Sequence, residues 1–62
     1  MEYCTDYIYN QAMKELPNDL DAPQAVRFVD HMLRMLGMEI PYRMRLELAL
    51  LIYRHKRAYY LY

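Results

Sequence analysis

The chain has 62 residues, which is enough for one small domain and too short for two separate cores. It is 56% hydrophobic with no net charge, a composition that favours a folded chain over a disordered one and lacks the basic excess of an independent DNA-binding domain. The single cysteine excludes a disulfide within the chain. No pair among Cys4, His31 and His55 has the spacing of a zinc site, so we expect no metal and no cofactor.

A domain of this size buries only about 60% of the surface that its unfolded chain exposes. Small domains are usually supported by disulfides, a metal or a partner. Because neither a disulfide nor a metal is expected here, we expect the domain to be stabilised by self-association or by binding to another protein. The eight tyrosines and six methionines fit such a contact surface, although they could equally form a small core.

No targeting or membrane-spanning segment is predicted. The first residues are acidic and lack the basic start and apolar stretch of a signal peptide. The longest apolar run, residues 48–53, is much shorter than the roughly 20 residues that cross a bilayer. With the lone cysteine, these features predict a cytoplasmic protein, or a nuclear one if the source has a nucleus.

The first helix is predicted over residues 5–16. Thr5 can act as its N-cap, because a threonine hydroxyl accepts a hydrogen bond from one of the unpaired backbone N–H groups of the first turn. Pro17 ends the helix, since the residue before a proline is pushed out of the helical region. One apolar stripe follows the helical spacing, formed by Ile8, Ala12 and Leu16.

The second helix, predicted over residues 22–36, carries the clearest boundary signals. Asp21 is a good N-cap, and Gln24 stands three residues later, as in a capping box. Pro23 lies in the first turn, where its missing N–H is not needed. Gly37 ends the helix as a left-handed residue.

The third helix is predicted over residues 41–60, beginning at Pro41. It would be about 30 Å long against roughly 22 Å for the second helix, so it should extend beyond its neighbours. The fold class is therefore all-α. Residues 1–62 form a single compact three-helix domain with a long C-terminal helix, and we expect the domain to dimerise through that helix.

This third helix carries two apolar seams where an ordinary surface helix has one. The first seam comprises positions 44, 48, 51, 55, 58 and 62, which hold Met, Leu, Leu, His, Ala and Tyr. The second seam comprises positions 42, 46, 49, 53, 56 and 60, which hold Tyr, Leu, Ala, Tyr, Lys and Tyr. The two short helices can cover one seam, which leaves the other for a partner.

We predict that the second seam is the interface with a second copy or another protein. The residues expected there are Tyr42, Leu46, Ala49, Tyr53 and Tyr60. The small side chain of Ala49 would let two helices approach closely at the centre. In the alternative, both short helices wrap around the third and cover both seams as ordinary core.

No catalytic residue is predicted, and enzymatic activity is not expected. The chain has no serine, no glycine-rich phosphate loop and no histidine–carboxylate pair at a spacing typical of an active site. His55 falls within an apolar seam, where a hydrogen-bonded core or interface histidine is the plainer interpretation.

The charge distribution supports a second functional hypothesis. Residues 1–21 carry a net charge of −4 and residues 42–62 a net charge of +4. A basic helix that follows another helix and a short turn also occurs in helix-turn-helix DNA-binding units. Its candidate nucleic-acid contacts are Arg43, Arg45, Arg54, Lys56 and Arg57. The leading hypothesis remains a small helical interaction protein that acts as a regulator, adaptor or inhibitor of another macromolecule.

Overall fold

A computed structural model describes the backbone of residues 2–61 and the side chains of residues 5–59. Within that part of the chain there are three helices and no strand. They are α1 (Glu2–Glu15), α2 (Ala22–Leu36) and α3 (Tyr42–Leu61). The predicted all-α, three-helix architecture is confirmed.

The second helix has the boundaries that its sequence predicts, because both ends are fixed by local hydrogen bonds. The backbone N–H of Gln24 donates to the Asp21 carboxylate at 2.8 Å, and the Asp21 N–H donates to the Gln24 side-chain oxygen at 2.9 Å. This reciprocal pair completes the capping box. At the other end Gly37 has a φ of 66°, and the N–H of Met38 donates to the Leu33 carbonyl at 3.0 Å.

The first helix begins earlier than its sequence predicts. It starts at Glu2, so Thr5 lies inside the helix and its assignment as the N-cap is wrong. No proline or glycine precedes Thr5, so nothing in the sequence prevents the helix from extending toward the N-terminus. Ile8 and Ala12 are fully buried, and the helix ends at Glu15, one residue before the predicted position.

The turn between α1 and α2 contributes a side chain to the core. Leu20, which lies between the two helices, is buried, and its N–H donates to the Pro17 carbonyl at 3.3 Å. Its side chain joins the same apolar core as the buried residues of the helices. The chain thereby gains apolar burial from a segment that has no helical periodicity.

The third helix follows Pro41, whose carbonyl accepts a hydrogen bond from the Arg45 N–H at 3.1 Å. It extends over 20 residues against 15 for α2, as the sequence predicts. The packing of the three helices is uneven. The contact between α2 and α3 is the largest, whereas α1 lies mainly against α3 and touches α2 less. The buried apolar residues are Ile8, Ala12, Leu20, Ala25, Val29, Leu33, Ile40, Leu48, Ala49 and Ile52.

Candidate functional site

The two seams of α3 face different environments, and the second seam is the inner one. Ala49 is only 1% exposed within the single chain, and Tyr53 packs against the core. Leu46 is half-buried, whereas Tyr42 is exposed at the start of the helix. The side chain of Tyr60 lies outside the described residues.

This placement corrects the part of the interface prediction that rests on Ala49. Its side chain is already enclosed by its own chain, so it has no surface left to offer a second copy. The inner face of α3 is centred on Ala49 and Ile52, because these residues belong to the core that the other helices share. The alternative in which both seams become core does not describe the structure either, since much of the first seam is exposed.

Lys56, a residue of the second seam, carries a buried positive charge. It is 6% exposed, and its Nζ donates to the Met13 carbonyl at 2.9 Å. Met13 lies in the last turn of α1, where backbone carbonyls have no partner within the helix and carry the negative end of the helix dipole. Lys56 therefore closes the C-terminus of α1 and cannot contact a nucleic-acid phosphate, which corrects that assignment.

Arg45 is also engaged within the chain. Its guanidinium forms an ion pair with Asp30 of α2 at 3.2 Å, and its Cζ lies 5.3 Å from the centre of the Tyr42 ring. The side chains of Arg45 and Asp30 are both about one third exposed, so this pair links the start of α3 to α2 at a partly solvated site. The sequence does not reveal this pair, because the two positions are brought together only by the packing of α2 on α3.

The five basic residues of α3 differ in how far they are exposed. Arg43 and Arg54 are exposed, and Arg57 is half-buried with an interaction of its own. With Lys56 buried and Arg45 paired with Asp30, three of the five predicted phosphate contacts remain, which are Arg43, Arg54 and Arg57. Nucleic-acid binding through these three residues stays a prediction.

The first seam is the exposed one. Met44 is 36% exposed and Leu51 is 39% exposed, while His55 and Ala58 are also exposed. Leu48 is mostly covered and lines a groove between α1 and α3. The side chains that line this groove are Thr5, Asp6, Tyr9, Met44, Glu47, Leu48 and Leu51. It is an apolar strip with carboxylates at its edges.

His55 is held near this groove by α1. The Tyr9 hydroxyl hydrogen-bonds to Nδ1 of His55, and the two rings meet edge to face with centroids 5.6 Å apart. When the hydroxyl donates, the imidazole is the neutral tautomer with its proton on Nε2. The predicted interpretation of His55 as a hydrogen-bonded histidine in an apolar seam agrees with this contact. Nothing in the sequence marks Tyr9 as the partner, because the two residues are far apart in the chain.

In the part of the chain whose side chains are described, no group of three His, Cys, Asp or Glu lies close enough together to hold a metal ion. Among the described residues, no helix combines the length and the apolar character that crossing a membrane requires.

Comparison with known proteins finds no matching family model, no matching curated protein and no matching solved structure.

Proposed function

We propose that this chain is a small helical protein-interaction module that acts as a regulator, adaptor or inhibitor of another macromolecule and associates with itself through α3. The observation that carries the proposal is the exposed first seam, with Met44 and Leu51 beside a groove that α1 and α3 share. Its single cysteine fits a reducing compartment, and we place this role in the cytoplasm.

Two physical arguments support an interface at the first seam. The spacing of Met44, Leu48, Leu51 and His55 is the alternating four-and-three pattern with which one helix packs along another. The domain is also small enough that its own core gives limited stability, so covering further apolar surface would add a useful share of the total. We therefore propose the first seam as the interface, whereas the sequence analysis predicts the second.

The test compares two neighbouring leucines on α3. Leu51 lies on the first seam and is 39% exposed, whereas Leu50 is 47% exposed and lies off the seam. Leu51→Glu in a dimer removes apolar contact and buries a carboxylate in both copies, which should weaken association by at least about tenfold. Leu50→Glu makes the same chemical change on a surface that the interface does not use, so its association should match that of the wild type.

Sedimentation equilibrium and circular dichroism on the same samples give the answer. We expect a wild-type dimer at high micromolar concentration, a monomeric Leu51→Glu variant with unchanged helicity, and a dimeric Leu50→Glu variant. A wild-type protein that stays monomeric at that concentration would contradict self-association. Equal effects of the two substitutions would show that the first seam is not the interface.

A further inference from the structure

The charged edge of the first seam contains residues of opposite sign at matching positions. Glu47 and Arg54 both stand immediately before a seam residue, two helical turns apart, and both are exposed. Within the described part of the chain neither takes part in an ion pair. Side chains that flank an apolar seam in this way determine the partner and orientation of paired helices.

The edge of the first seam that lies across from Glu47 and Arg54 is not available for contacts with a partner. The residues on this opposite edge are Arg45, which is paired with Asp30, and Ile52, which is fully buried. In a parallel pair of helices, the charged edge of one copy meets this opposite edge of the other. In an antiparallel pair, like edges meet. Because the opposite edge is engaged by the chain itself, only the antiparallel arrangement lets both copies use Glu47 and Arg54.

From these positions we propose that the partner at the first seam is a second copy of this chain, packed antiparallel about a two-fold axis. Glu47 of each copy then faces Arg54 of the other. The proposal rests on the proposed function, since it assumes that the first seam is an interface. The two-fold symmetry makes the charged contact occur twice, because each copy contributes both members of the pair.

The same register aligns the apolar residues. With Glu47 opposite Arg54, the exposed Leu51 of each copy packs at the groove that Leu48 of the other copy lines, and Met44 packs near His55. Sliding the helices by one heptad in either direction brings Glu47 against its own equivalent or Arg54 against its own equivalent. Both shifts place like charges together at the symmetry axis and move Leu51 away from that groove, so charge and packing select one register.

The experiment uses two single variants of the full chain and their mixture. Glu47→Arg sets arginines against arginines, and Arg54→Glu sets carboxylates against carboxylates. Each variant alone should therefore dimerise at least about tenfold more weakly than the wild type. In an equimolar mixture, a mixed dimer places both arginines of one variant opposite both carboxylates of the other, so dimerisation should return to near the wild-type level. Glu39→Arg, a charge reversal at an exposed site before α3 that does not line the groove of the first seam, is the control and should leave association unchanged.

The outcomes separate this proposal from the one on which it rests. Weak self-association of both variants with recovery on mixing supports the antiparallel register. If the variants and their mixture all dimerise like the wild type while Leu51→Glu does not, the seam is the interface and the register is wrong. If each variant dimerises weakly and mixing gives no recovery, the antiparallel pairing is likewise wrong. If the wild type is monomeric, both proposals fail.

Discussion

The buried Lys56 gives the sharpest test of how the chain is held together. Replacing it with alanine removes three methylene groups from the core, at about 0.8 kcal/mol each, or about 2.4 kcal/mol. Losing the hydrogen bond from its ammonium group to the Met13 carbonyl, with the buried charge removed as well, costs about a further 1–2 kcal/mol. We therefore expect Lys56→Ala to lower the free energy of unfolding by about 4 kcal/mol, which is a large part of the stability of a domain this small.

Lys56→Met is the matched control, because methionine keeps the apolar stem and removes the ammonium group. It should cost about 1–2 kcal/mol, since the Met13 carbonyl loses its partner while a buried charge is also removed. Urea denaturation followed by circular dichroism measures both variants. A loss below about 0.5 kcal/mol for both, the range of ordinary surface substitutions, would refute the burial of Lys56 in solution. Equal large losses would show that the charge and not the stem stabilises the fold.

Two further substitutions test the cap of α2 and the inner seam. Asp21→Ala removes the carboxylate that accepts a hydrogen bond from the Gln24 N–H. It should lower the free energy of unfolding by about 1 kcal/mol, which is measured as a lower melting temperature. An unchanged melting temperature would mean that α2 begins elsewhere. Ala49→Glu buries an unpaired charge inside the chain, which costs about 3–5 kcal/mol, so circular dichroism should show loss of helicity and not separation of folded monomers.

The part of the fold that the sequence predicts best is the part that is encoded locally. The ends of α2 depend on Asp21, Gln24 and Gly37, which act through bonds to residues only a few positions away. The predicted start of α1 is too late because Thr5 is a good capping residue without being the actual end of the helix. A capping residue permits a helix to begin, but it does not oblige the helix to begin there.

The inward-facing seam could not be identified from spacing alone. Both seams have the same periodicity, and each carries one basic side chain, His55 in the first and Lys56 in the second. The seam that faces inward is the one whose basic side chain finds a hydrogen-bond partner in the interior of the molecule. Lys56 reaches the open carbonyl end of α1, a partner that exists only once the helices have packed. His55 stays at the edge, where Tyr9 contacts it.

The uneven packing of α1 has a consequence for the order in which the helices assemble. The contacts between α2 and α3 join segments that are neighbours in the chain, so little loop entropy is lost when they form. By contrast, α1 is held by pairs such as Met13 with Lys56, which are 43 positions apart. The α2–α3 hairpin should thus form early in the folding transition state, with α1 docking last onto a surface already made.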